Sequence, residues 1–335
     1  MATIGNTYLS LADLYKRQDP NGQIAAIVEL LAQSNPILEH SIAVECNDGT
    51  SHQTVTRSGI PAPTWRSLYQ FVQPTKSTTV AVKDATGMLE AWSEIDSRLV
   101  EMSKDPAALR LSEAEPILEG INQDVATTYF YGDQASSPAK FTGLTPRYNS
   151  LSAPSGQQIV DAGGTGSDNT SIWFVEHGAM ATHLIYPAGT MAGIKREDKG
   201  KETKNDGNGG LMDVHREKFN QDIGLSVRDW RRNGRIANID VSDLSITAAT
   251  GANLFDQMVK MYHRVIKHKT ITQGKKVIYC NSTIMEFLDH QSRRANSNAL
   301  LTWREITKDS EPVLYFRNMQ LVQCDALLNT EARVV

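Results

Sequence analysis

Few residues of this chain have the types and spacing to do chemistry, and they lie far apart. Glu176, His177 and His183 are candidate ligands for a divalent cation. The H-E-x-x-H spacing is absent, however, and no second carboxylate sits at a defined offset. Asp222, Asp229 and Asp240 are candidate acids and bases, yet they fall in alternating runs that explain them as the polar faces of strands. Gly163-Gly164-Thr165-Gly166-Ser167 offers the backbone amides of a phosphate loop. It lacks the G-K-[ST] ending and runs into strand-like Ser171-Ile172-Trp173 rather than into a helix. Cys46, Cys280 and Cys324 never form a C-x-x-C pair, which argues against a disulfide framework, a zinc cluster or a thioredoxin-type site and fits a reducing cytoplasm. No G-x-S-x-G elbow occurs. The expectation is a protein without catalytic residues, metal or cofactor. A hydrolase with a metal at His177 and His183 is the minor alternative.

The most basic stretch is Arg228-Asp229-Trp230-Arg231-Arg232-Asn233-Gly234-Arg235. It suits phosphates or a stacked base, as in a nucleic-acid-binding module. It equally suits a strand and turn whose arginines pair with acidic neighbours, on this or another subunit.

The elements that must position these groups belong to a chain of 335 residues with net charge −4, 40% hydrophobic and 21% charged residues. Such a chain is neither a polycation nor a disordered or low-complexity one. It shows no signal segment at Met1 to Asn6 and no run of 18 apolar residues, so a soluble protein with no membrane partner is expected. Globular scaling gives roughly 13,600 Å² of surface for one compact body of this mass, against roughly 54,000 Å² unfolded.

Ser10 with Asp13 caps a first helix with Leu11, Leu14 and Tyr15 on its apolar stripe. A second runs from about Gln23 to Ser34, and Asn35-Pro36 ends it. From Ser41 to Lys83 turn chemistry and β-branched residues take over. Asp48-Gly49 signals a hairpin between Ile42 to Cys46 and Ser51 to Arg57. Between Thr50 and Thr86 stand twelve Ser or Thr residues. The ionised side chains there are Arg57, Arg66, Lys76 and Lys83 against Asp84. A long ribbon with Trp65, Tyr69 and Phe71 is hard to bury on a small local core and suits a partner surface. The alternative is three strands of an ordinary sheet.

Met88, Trp92, Ile95, Leu99 and Met102 make a helical stripe, although Ala85-Thr86-Gly87 leaves room for its first part to be the ribbon's returning strand. Ser112-Glu113-Ala114-Glu115 reads as a capping box opening a helix over 111–131, with Pro116 in its first turn. Strands are expected at Ser171 to Val175, His183 to Tyr186, Met191 to Arg196, Val214 to Phe219 and Gly224 to Asp229, around a charged tip from Lys199 to Gly210. Leu254, Met258, Met261 and Val265 mark a helix, Lys276 to Cys280 a buried strand, Ile284 to Gln291 a helix, and Pro312 to Cys324 one or two strands.

The order of arm helices, Ser/Thr-rich ribbon and capped helix, running into Tyr129-Phe130-Tyr131-Gly132-Asp133 and then Phe141-Thr142-Gly143-Leu144-Thr145-Pro146-Arg147-Tyr148-Asn149, resembles the major capsid proteins of short-tailed (podovirus) bacteriophages of the epsilon 15 type. The likeness spans essentially the whole chain. It implies an α+β, Hong Kong 97-like phage capsid fold with N-terminal arm, extended β-hairpin loop, long spine helix, and peripheral and axial domains. On that pattern 1–40 is the arm, 41–96 the extended loop, 97–250 the peripheral domain with its spine helix at 111–131, and 251–335 mainly the axial domain. The usual family order places the axial domain directly after the spine helix, whereas here a strand-rich block comes first.

The implied function is a structural one, self-assembly into pentamers and hexamers of an icosahedral shell around double-stranded DNA, with no enzymatic activity. The implied partners are further copies of the chain, a decoration or cement protein, the portal and the packaged DNA. The virion, assembled in the bacterial cytoplasm, is the implied location. Leu11, Tyr15, Trp65, Tyr69 and Phe71 are then the candidate inter-subunit contacts of arm and loop. Arg228, Arg231, Arg232 and Arg235 are candidates for an inter-subunit or DNA-facing basic surface. No lysine and asparagine pair matches the covalent crosslink of some family members, and none is expected.

Overall fold

The computed structural model describes residues 8–10, 13, 14, 17, 32–205, 209–244, 253–266, 274–294, 301–304 and 313–335. In chain order these form α1 (Ile37–His40), β1 (Ala43–Glu45), β2 (Ser51–Gly59), β3 (Thr78–Asp96), α2 (Ser97–Met102), α3 (Pro106–Tyr131), β4 (Ile159–Asp161), β5 (Asn169–His177), β6 (Thr182–Tyr186), β7 (Lys195–Asn205), β8 (Leu211–Val227) and β9 (Gly234–Asp240). There follow α4 (Leu254–Ile266), β10 (Lys275–Cys280), α5 (Ser282–Arg294), β11 (Leu301–Arg304), β12 (Val313–Phe316) and β13 (Met319–Gln323).

The strands join one mixed sheet in the order β11-β12-β13-β10-β5-β6-β8-β3-β2, with β1 on β6, β7 on β8, and β9 between β5 and β4. The fold is α+β. All of β5 is buried, and its central Ile172-Trp173-Phe174-Val175 is apolar without alternation, as in a strand covered on both faces. Alternation sorts its side chains. Ile172 and Phe174, with Ile278 and Cys280 of β10, face Met258 and Met261 of α4 and Ile284 and Leu288 of α5. Trp173 and Val175, with Val277 and Tyr279 of β10, face Val125, Tyr129 and Phe130 of α3. Because β10 pairs with β5 from Lys275–His177 to Tyr279–Trp173, the expected domain boundary at residue 250 crosses a single sheet.

The spine helix begins earlier than its capping box implies. Asp105 accepts hydrogen bonds from the Ala107 and Ala108 amides and Pro106 occupies the first position, a stronger start than Ser112, whose hydroxyl turns back to the Leu109 carbonyl. Pro116 therefore lies in the interior, where it forfeits the bond to the Ser112 carbonyl. The end falls at Tyr131-Gly132 as expected. There the Gly143 amide donates to the Gly132 carbonyl at 2.8 Å and the Leu144 amide to the Tyr129 carbonyl at 2.9 Å. The second segment thus satisfies carbonyls that the helix end leaves open. A Cβ at Gly132 would stand 2.4 Å from the Phe141 carbonyl oxygen, and one at Gly143 2.6 Å from that of Thr128. Glycine is needed on both sides of the join.

Three expectations are corrected. Residues 88–95 are strand, not helix: β3 pairs with β8 from Thr86–Gly224 to Asp96–Val214. This ladder overrides the helical stripe and leaves Met88 81% and Trp92 45% exposed. The Asp48-Gly49 turn exists, closed by Asp48 and Ser51. It joins strands that do not pair with each other, because β1 lies parallel to β6 while β2 pairs with β3. The charged tip from Lys199 is largely the long hairpin of β7 and β8, paired from Lys195–Asn220 to Asn205–Leu211. The helix expected over Gln23 to Ser34 lies largely outside the described residues.

Candidate functional site: the projecting ribbon and the arginine stretch

The pairing of β2 with β3 runs from Ser51–Ala85 outward to Gly59–Thr78. The pairing of β3 with β8 begins only at Thr86. Beyond that point the ribbon has two strands; its root is covered at His52, Thr54 and Asp84, and past Thr56 no layer covers it, a form with little stability of its own. Its end is a turn in which the Gln70 amide donates to the Ser67 carbonyl at 3.3 Å and Tyr69 takes φ 63°. Trp65 is 99% exposed, Tyr69 97% and Phe71 96%, and Ile60 and Leu68 stand with them. Each aromatic ring offers about 150–250 Å², equivalent to about 4–6 kcal/mol at ~25 cal/mol/Å² before ordering costs. Gly49 to Lys83 contains no acid, and Lys83 is held by Asp48 at 2.6 Å. Arg57, Arg66 and Lys76 therefore make the distal ribbon cationic as well as aromatic.

Among the arm residues, Ser10 caps as expected: its hydroxyl donates to Asp13 at 2.6 Å and accepts from the Asp13 amide at 3.3 Å. Leu14 packs against Ile95, Leu99, Val100 and Leu109. Arg17 pairs with Glu113 and donates to the Ser112 hydroxyl. Leu11 and Tyr15 lie outside the described residues. The whole chain exposes 19517 Å², well above the roughly 13,600 Å² of a compact body.

The arginine stretch divides. Arg232 and Arg235 are buried and leave the candidate basic surface. Arg232 Nη1 donates to Glu176 Oε1 at 2.7 Å. Arg235 donates to Glu331 Oε2 at 2.8 Å, to the Tyr148 carbonyl at 2.8 Å and to Ser171 Oγ at 3.0 Å, with its guanidinium 5.0 Å from the Trp173 ring centroid. Desolvated guanidinium groups need such partners, and no phosphate or base can reach them. Arg231 is exposed and lies on Asp229 at 2.8 Å, and half-buried Arg228 donates to the Ala179 carbonyl at 3.2 Å. Sequence reasoning missed Glu331, although a buried arginine demands a carboxylate from somewhere. It missed equally the buried Asp84, on which Arg147 lies at 2.8 Å.

His177 and His183 meet different partners. His177 Nε2 lies 2.9 Å from the Tyr279 hydroxyl and its Nδ1 3.0 Å from Ser41 Oγ, whereas the His183 ring sits edge-on to His52. Among the described residues no three His, Cys, Asp or Glu side chains are placed to hold a metal ion, and no helix is long and apolar enough to cross a membrane.

Compared with known proteins, residues 19–335 match a family model described as major capsid protein GP7. No curated protein matches. Among solved structures the chain is similar to one from bacteriophage epsilon15, with 37% identity, 100% of this chain and 99% of that chain covered, and a TM-score of 0.78. It is also similar to the bacteriophage JBD30 capsid, with 8% identity, 89% and 93% coverage and a TM-score of 0.50, a likeness of fold alone.

Proposed function

Because the chain belongs to the major capsid protein GP7 family, and is a structural protein that self-associates into the shell of a phage virion, we infer that the ribbon and the arm are its means of association. The carrying observation is the ribbon tip, whose rings are almost wholly exposed on a segment with no second layer. Obligate interfaces bury such apolar surface. The tip's cations call for an acidic face. The outer side of α3 carries Glu115 and Glu119 beside exposed Leu111 and Leu118, which supports the ribbon of one copy lying on the spine helix of the next.

The units formed are pentamers and hexamers of an icosahedral shell assembled in the host cytoplasm around double-stranded DNA, with the portal and a decoration or cement protein as further partners. Arg228 and Arg231 are the residues left for an inter-subunit or DNA-facing role. The body splits by its two buried clusters rather than at residue 250. α4, α5, β4, β9 and β10 to β13 with β5 supply the axial part, and α3 with β3, β7 and β8 the peripheral part. Electron microscopy of the expressed chain tests the reading. Closed shells of uniform size are expected, and a protein that stays monomeric under every assembly condition would overturn it.

A further inference from the structure

The arm and the ribbon each join the body beside a buried pair of histidines. His40, at the end of α1 where the arm joins, has its ring centroid 6.5 Å from that of His177. His52, where β2 enters the ribbon, stands 5.5 Å from His183 with the rings perpendicular. His177 and His183 flank the short turn from β5 to β6, so the segment from His40 to His52 is pinned to that turn at both ends. Between the pins it is held by backbone: the Leu184 amide donates to the Ile42 carbonyl and the Cys46 amide to the Tyr186 carbonyl, each at 2.9 Å.

The arm-root pair has room for no more than one extra proton. The Tyr279 hydroxyl lies 3.0 Å from His40 Nδ1 and 2.9 Å from His177 Nε2. It has one hydrogen to give, so it donates to one ring and must accept from the other. With both rings protonated that hydrogen has no acceptor, and two cations share a buried site. At the ribbon root neither ring nitrogen of His183 has a hydrogen-bond partner, nor do His52 Nδ1, Thr54 Oγ1, Asp84 Oδ2 and Ser226 Oγ. Of the groups around His183 only the Gly178 backbone and Asp84 favour a proton there, against burial, His52 and Arg228.

We propose that the two histidine pairs are acid-sensitive latches which hold the arm root and the ribbon root to the β5–β6 turn, and that protonation releases both appendages before the central sheet opens.

The surroundings favour the neutral rings. At the arm root burial and then Lys275, which stands opposite His177 in the β10–β5 ladder, hold His40 down to about 4. Burial, His40 and Lys275 hold His177 down to about 3. Tyr279 of β10, Tyr129 of α3 and Ser41 complete that site. At the ribbon root burial, His52 and Arg228 hold His183 down to about 4, opposed by the Gly178 backbone and Asp84. Burial and Arg228 lower His52, opposed by Asp84, its cross-strand neighbour, which Arg147 in turn partly neutralises. A released imidazole titrates near 6.5. As the pH falls from there towards about 4, the open state binds protons that the closed state does not, so His40, His177 and His183 each weaken closure by up to tenfold per pH unit. Above that window the latches hold fully.

Hydrogen exchange on the unassembled full chain, corrected for the intrinsic rate, reads this without reference to shell formation. Between pH 7 and pH 4 protection is expected to fall at 37–56 and 82–86 while 234–240 and 254–266 keep theirs. Arg228→Gln removes a suppressing charge from the ribbon root alone, and Lys275→Gln from the arm root alone. Each lets the closed root accept a proton more readily, and is therefore expected to lower the pH at which its own root opens and to leave the other unmoved. Roots and body losing protection together, or both variants following the unaltered chain, would overturn the proposal. His52→Gln with His183→Gln should make the ribbon root independent of pH. If that variant does not fold, the two charge variants and the unaltered chain decide alone.

Discussion

Strand β5 and the distal ribbon contain the same kinds of side chain and treat them in opposite ways. Trp173 in β5 is fully buried and Trp65 in the ribbon is 99% exposed. Neither difference comes from the residue. β5 has a strand on each edge and helices on both faces, all supplied by its own chain. The ribbon has one partner strand and no layer. The apolar surface that β5 buries during folding is, in the ribbon, still available when folding is finished. Folding and assembly thus draw on one hydrophobic driving force, divided between two regions by which of them the chain itself can cover.

The largest effects should follow from removing what covers β5. Trp173 packs against Phe130 and Tyr148 and lies under the Arg235 guanidinium. Trp173→Ala should cost the unassembled subunit about 3–5 kcal/mol, the range for large-to-small changes in a close-packed core. Urea unfolding measures it. A loss below about 1 kcal/mol would mean that the two faces of the sheet are not both sealed, and the contrast with the ribbon would fail.

The arginine stretch repeats the comparison on a smaller scale. Arg235→Ala strands Glu331 inside the protein and should cost about 3–5 kcal/mol, while Arg231→Ala removes an exposed arginine from a mostly buried Asp229 that Arg232 still approaches at 3.7 Å, and should cost no more than about 1 kcal/mol. Equal losses for the two variants, read from the same unfolding curves, would show that Arg235 is not desolvated in solution.

What could be read from the chain beforehand follows the same division. The join at Gly132 and Gly143 was legible because glycine there answers a local need, the close approach of a second segment to a helix end. The ribbon was legible because its lack of acids and its exposed rings are properties of a short stretch. The strand at 88–95 was not, because its apolar spacing fits a helix and only the distant β8 decides otherwise. For the same reason the pairing of β1 with β6, and the partners of Arg232 and Arg235, lay outside local reading. Glu176 and Glu331 stand 56 and 96 residues from the arginines they neutralise. The helix start at Asp105-Pro106 was legible in principle. The capping box six residues on drew the boundary away from it.

The smallest effect on the subunit should come from the ribbon tip, and that smallness is the point. Trp65→Ser with Phe71→Ser touches nothing in the described chain, so the unfolding free energy of the unassembled subunit should move by no more than about 0.5 kcal/mol. Assembly should fail or shift to much higher protein concentration, because the rings are the surface that a neighbouring copy covers. Sedimentation of the double variant beside the unaltered chain reads both consequences in one preparation. A subunit destabilised by more than about 1 kcal/mol would show that the tip folds back on its own body in solution. Unimpaired shells from a normally stable subunit would show instead that the rings remain uncovered in the assembly, leaving the arm and the ribbon's backbone edges to hold the copies together.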